Sequence, residues 1–252
     1  MTHESTAPVP RREPELLGQT VVVIGGSSGI GLETARRART EGADVILAAR
    51  NPERLEQAAR ELGALSTSAF DATDPDALAS FFNSLPTPID HVMVTAGAPP
   101  YGSLLELSPT EAQRLLSGRL VLAVDVARAA RAKVRPPGSL TFMGSTAHRR
   151  PGIGEGIIST SSVATPTLIA NLALELAPIR VNLVAPGFVD TALSASLLGD
   201  DLDARREELR ATLPIGRVVG PADVAALAVH LMINAAITGA TYDIDGGQQF
   251  VA

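Results

Sequence analysis

The sequence predicts an α/β fold, one domain built on a doubly wound parallel sheet with helices on both faces. Three observations predict it. Apolar, β-branched runs recur along the chain and read as strands buried on both sides. Segments of helical period lie between them, so strand and helix alternate. A chain of 252 residues with 45% hydrophobic content has enough material for one full core, and no compositional shift marks a second domain.

Taken in order, residues 1–14 mix Pro, Arg, Glu, Ser and Thr without periodicity and are expected to form a mobile tail. From Gly18 the pattern changes. "TVVVIGG" reads as the first strand, followed by helix 29–41, strand "ADVILAA", helices 52–62 and 75–84, and strand "HVMVTAG". Helix 109–134 comes next and starts sharply, because Ser108 can cap it, Pro109 suits its first position and Glu111 completes a capping box. Strand "SLTFMGS", helix 166–177 and strands "IRVNLVAP" and "ATYDIDG" complete the series. Thr165-Pro166 is a second cap-and-proline pair, so the helix there is expected to bend or to begin, which would leave "ISTSS" at 158–162 free to form a turn or loop. Residues from about 190 to 215 read as an amphipathic, mobile lid.

Composition narrows the chemistry. With no cysteine and four scattered histidines, neither thiolate catalysis nor a metal site is expected. A net charge of −6 without a basic run argues against nucleic acid as a partner. No window has the length of uncharged apolar sequence that a membrane span needs, and the N-terminal residues lack the apolar centre of a signal peptide. A cytoplasmic protein acting on a small molecule is expected.

Directly after the first strand stands "GGSSGIG", with Gly25, Gly29 and Gly31 around Ser27, Ser28 and Ile30. Glycines at this spacing allow a tight turn and close backbone approach to a pyrophosphate, which the following helix N-terminus stabilises. At the end of the second strand, Ala49 is followed by Arg50. An acidic side chain there would hold the ribose hydroxyls of NAD, whereas an arginine favours the extra phosphate of NADP.

Residues 18–250 resemble the short-chain dehydrogenase/reductase family. The marks appear in order as "IGGSSGIG", "FDATD", "VTAG", "RVNLVAPGFVDT", "GRVVGPADVAALAVHLM" and "ITGATYDIDGG". The resemblance implies a Rossmann-like fold and a nicotinamide dinucleotide, NADP(H) rather than NAD(H). It places Asp71 and Ala72 at the adenine, Ala96 and Gly97 along the cofactor, and Pro186, Gly187, Val189 and Thr191 at the nicotinamide. It also implies a homodimer or homotetramer, formed through the apolar faces of "LVLAVDVARAA" and "LIANLALELA".

The family's active site is an Asn, a Ser and a Tyr-x-x-x-Lys pair, in which the tyrosine exchanges a proton with the alcohol oxygen. The pair is missing. Lys133 is the single lysine, and Tyr101 and Tyr242 are the two tyrosines, so no register supplies it. Counting back from Glu175 puts Ile158 and Ser162 at the Tyr and Lys positions, with Arg119 at that of the Asn. Ser145 alone remains of the four. Substitutes for the proton donor are His148, in a loop that faces substrate in relatives, and Tyr101, although a solvated loop histidine and a tyrosine packing the pocket wall are the expected arrangements. Arg119 could hold an oxyanion, although an ion pair between helices, with Glu155 a candidate partner, is the expected arrangement.

Three functional readings follow. The first is an NADP(H)-binding enzyme that acts on a small carbonyl, alcohol or polyketide-like molecule by non-standard, even redox-neutral, chemistry. The second is a non-catalytic member with a regulatory or structural role. The third is a standard reductase whose proton donor is another residue.

Overall fold

The computed structural model describes residues 13–97 and 101–251, so residues 1–12 of the expected tail lie outside the described part. The apolar runs form strands β1 (Thr20–Ile24), β2 (Asp44–Ala49), β4 (Ile89–Val94), β5 (Val134–Met143), β6 (Arg180–Pro186) and β7 (Thr241–Ile244). A seventh strand, β3 (Ser66–Ala69), gave no apolar signal. Its four residues are mostly exposed at the sheet edge, so burial never selected β-branched side chains there. The strands run parallel in the order β3-β2-β1-β4-β5-β6-β7.

Helices α1 (Gly29–Thr40), α2 (Pro52–Leu62) and α8 (Pro221–Ile233) cover one face of the sheet; α3 (Pro75–Ser84), α4 (Pro109–Ala130) and α5 (Gly156–Glu175) cover the other. Alternation along β1 divides the core, with Val21 and Val23 facing the first group and Val22 and Ile24 the second. Both faces are therefore buried, as the unbroken apolar runs require. Strand order reverses between β1 and β4, so the loops leaving those strands diverge and open a crevice at their carboxyl ends.

Two helices differ from expectation. α4 stops at Ala130 instead of 134, because Val134 already pairs with Ile89 as the first residue of β5. α5 neither begins at Pro166 nor leaves "ISTSS" as a loop; it runs through the proline from Gly156. The serine and threonine hydroxyls bond back within the helix, Ser161 and Ser162 to the Ile158 carbonyl and Thr165 to that of Ser161. The buried side chains Ile157, Ile158, Ile169 and Leu172 hold both halves of the helix in the protein. Long apolar α5 is thus a core helix. Over the crevice lie two short helices, α6 (Ala192–Leu198) and α7 (Leu202–Thr212), in the region read as a lid.

Far from the crevice, His91 on β4 is buried between two neutral partners. Its Nε2 lies 2.8 Å from Gln19 Oε1, which can only accept, and its Nδ1 lies 2.8 Å from the Ser139 hydroxyl. The ring is held neutral, with its pKa lowered from 6.5 to about 4, by burial first and then by the Arg180 charge. Between those values the unfolded chain binds more protons than the folded one, so stability falls as pH drops through that window. The expected loss is roughly 3 kcal/mol. Urea midpoints measured from pH 7 down to 4 check it, and His91→Gln should flatten the dependence; equal slopes for the two proteins would refute the assignment.

Candidate active site

The carboxyl ends of β1, β2, β4, β5 and β6 surround a cleft of about 1640 Å³. Pockets for one small ligand span roughly 300–1,000 Å³, so this cleft has room for a dinucleotide and a second molecule. Gly25, Ser27, Ser28, Gly29 and Ile30 line one end of it. Gly25 has φ +97°, and a Cβ there would stand 2.3 Å from Thr95 Oγ1 and 2.9 Å from the Ala96 nitrogen. Gly31 lies behind the wall, where an added Cβ would meet the Gly25 carbonyl at 2.2 Å. Its absence lets α1 approach the turn. No side chain caps α1, so its first N–H groups are left open towards an anion.

Along the same end, Arg50 is joined by Asn51 and by Arg54, which the sequence reading did not single out although it stands in the first turn of α2, just after Arg50. The Asn51 side chain caps α2 by accepting from the Arg54 nitrogen at 2.8 Å. Asp71 and Ala72 close the far side. Asp71 Oδ1 accepts from the Thr73 nitrogen and hydroxyl, and those two bonds hold its carboxyl below the usual range. Ala96 and Gly97 form the middle of the cleft, and Pro186, Gly187, Val189 and Thr191 its opposite wall. Gln248, also missed, braces that wall: its Oε1 accepts from the Phe188 nitrogen at 2.8 Å and fills the space a Gly187 side chain would need.

At the reacting end, Ser145, Ile158, Arg119, Tyr101 and Glu155 all line the cleft. Ile158 offers no proton. Ser162 does not reach this space; it lines a separate cavity of about 390 Å³ behind the floor, together with His148 and Tyr242. His148 therefore lines this rear cavity and not the cleft. An ion pair of 2.7 Å between Arg149 and Asp243 draws the short turn Ala147–Arg149 towards β7, and His148 Nδ1 is buried there without a hydrogen-bond partner.

The expected pair between Arg119 and Glu155 does not form either. Arg119 Nη1 donates to the Met143 carbonyl at 2.7 Å, at the open end of β5, and among the described residues no carboxylate lies within ion-pair distance of it. Burial holds its pKa below the usual guanidinium value, opposed by the nearby Tyr101 phenol. Tyr101 is raised in turn, by burial first and by the Glu155 carboxylate second, with Arg119 acting the other way. It stays protonated at neutral pH and presents a hydroxyl donor. A hydrogen bond of 2.8 Å from the Gly102 nitrogen to the Gly154 carbonyl ties the Tyr101 loop to the loop bearing Glu155.

This geometry has the glycine turn, the open helix terminus and the crevice at the strand reversal in one place. The family described as Enoyl-(Acyl carrier protein) reductase matches residues 24–249. The chain belongs to the short-chain dehydrogenase/reductase family of oxidoreductases. The short-chain dehydrogenase/reductase ATR9 of Stachybotrys chlorohalonatus is 31% identical, over 93% of this chain and 98% of that protein. The solved structure of MalC reductase/Diels-Alderase from Malbranchea aurantiaca is 25% identical and superposes with a TM-score of 0.86, covering 94% of this chain and 98% of that one. A small-chain dehydrogenase solved in complex with NADPH is 28% identical with a TM-score of 0.78, over 92% and 98% of the two chains.

Proposed function

We propose that the protein binds NADP(H) and acts on an apolar carbonyl, alcohol or polyketide-like molecule without the family's usual proton transfer. One observation supports this: Gly25, Ser27, Ser28, Gly29 and Ile30 line one end of the cleft, while the side chain lining its reacting end at position 158 is an isoleucine. The residues present fit the cofactor, since Gly25 and Gly31 leave the space that a Cβ would fill and α1 opens its N-terminus to the cleft. Arg50 and Arg54 would hold the adenosine phosphate, Asp71 the adenine amine, and Pro186, Gly187, Val189 and Thr191 the nicotinamide. When bound, NADPH supplies a hydride. This chain's residues orient the substrate through the Ser145 and Tyr101 hydroxyls and the Arg119 charge. α6 and α7, through Leu193, Leu197 and Leu209, act as the lid that excludes water.

A redox-neutral outcome is the second form of this reading. The solved MalC reductase/Diels-Alderase, to which this chain is similar, supports it. The missing proton donor also suits a binding-only role.

Calorimetric titration with NADPH and NADH tests the nucleotide site. NADPH should bind about tenfold or more tightly than NADH, the size of one charge-assisted contact to phosphate, and Arg50→Ala should narrow that ratio. Equal affinities in the wild type would overturn the cofactor choice.

We further infer a homodimer or homotetramer. Val121 on α4 and Val163 and Leu174 on α5 are exposed in the single chain, a broad apolar surface for a protein in water. Light scattering should report two or four copies at micromolar concentration, and a monomer would refute the inference.

A further inference from the structure

We propose that Arg119 is an anion-binding residue, and that the substrate half of the cleft selects molecules joining an apolar body to a carboxylate or an acidic enol oxygen. The proposal rests on reading this half of the cleft as the substrate site. Three observations support it.

First, among the described residues no carboxylate pairs with Arg119. A guanidinium offers five N–H donors, yet among the described residues the one hydrogen bond Arg119 makes goes to the neutral Met143 carbonyl. Arg119 is partly buried on the cleft wall, and a cation drawn part-way out of water favours a counter-charge. Glu155 also lines the cleft but forms no ion pair with the guanidinium, which is influenced by the Tyr101 phenol. An incoming anion is the missing counter-charge.

Second, hydroxyl donors converge on the same region. Tyr101 keeps its proton at neutral pH, and Ser145 Oγ accepts from the Ala147 nitrogen at 3.1 Å, so its own proton remains to be donated. One guanidinium with two hydroxyls suits a single oxyanion better than a dianionic phosphate.

Third, the cleft offers apolar side chains alongside its charged ones, which include Arg114, Arg150, Glu155 and Glu208. Leu115 stands one helical turn before Arg119 on α4, and Ile153, Ile158, Leu197 and Leu209 line the cleft. Their presence asks for a hydrophobic body attached to the oxyanion.

The test is calorimetric titration of the NADP+-loaded protein with 2-naphthoate and its neutral isostere 2-naphthamide at neutral pH. Naphthoate should bind about tenfold or more tightly than the amide, the size of one charge-assisted hydrogen bond. Arg119→Gln should abolish the preference by weakening naphthoate far more than the amide, and Arg119→Lys should retain part of it. NADP+ affinity and circular dichroism of each variant establish that it is folded. Equal binding of the two probes, no binding of either at millimolar concentration, or a preference that survives in Arg119→Gln would overturn the proposal. NADP+ is titrated first and alone. Should it fail to bind, the cofactor reading fails, and the same two probes titrated into the nucleotide-free protein still decide the role of Arg119.

Discussion

Gly31→Ala is expected to lower NADPH affinity by roughly ten- to a hundredfold and to destabilise the fold by about 1–3 kcal/mol. The added Cβ would lie 2.2 Å from the Gly25 carbonyl and 2.6 Å from Thr95 Oγ1, and the first of these is backbone that cannot turn aside. Thr95 is itself engaged, donating to the Ile24 and Gly25 carbonyls, so the whole turn must shift away from α1. That shift displaces the N–H groups that face the cleft. Gly118→Ala is the matched control: it also lies on the cleft wall, within α4, but nothing stands within 4 Å of its Cβ position. Alanine there should leave NADPH affinity unchanged and add up to about 1 kcal/mol of helix stability. Calorimetry and urea unfolding of both variants check the contrast, and similar losses in the two would contradict it.

The double substitution Ile158→Tyr with Ser162→Lys should raise NADPH-dependent reduction of 2-acetylnaphthalene by about two powers of ten or more over the wild type, the usual contribution of a placed general acid. Because α5 is unbroken from Gly156, positions four residues apart share one face of the helix. Ile158 already lines the cleft, so a tyrosine there presents its hydroxyl to the reacting end. A lysine at 162 starts from the rear cavity, whose volume of about 390 Å³ accommodates its stem. Ile158→Tyr alone should give the smaller gain, since no ammonium group lowers the phenol pKa. Loss of NADPH absorbance is the readout. A folded, NADPH-binding double variant without added activity would show that the site has lost more than this pair.

The nucleotide half of the cleft was legible in the sequence because it is built from backbone geometry. Glycines at 25, 29 and 31 and the segment from Pro186 to Thr191 are local motifs, and their spacing fixes their positions in the structure. The reacting half depends on side-chain direction, which spacing does not encode. Arg119 and Glu155 looked like partners across two helices, but the Met143 carbonyl at the end of β5 captures the guanidinium. His148 lies three residues past Ser145, yet the Arg149–Asp243 ion pair turns it to the rear. Pro166 carried a strong local stop signal that tertiary packing of Ile157, Ile158, Ile169 and Leu172 overrode. β3 was invisible because an exposed edge strand needs no apolar side chains.

Turnover of 2-acetylnaphthalene by the wild-type protein saturated with NADPH tests most directly whether a complete nucleotide cradle here coexists with a missing proton donor. NADPH should bind, and its absorbance should then decay no faster with the ketone than without it. Steady consumption at ordinary enzymatic rates, on the order of 1–1,000 s⁻¹, would contradict the account and show that Tyr101 or another group in the cleft supplies the proton.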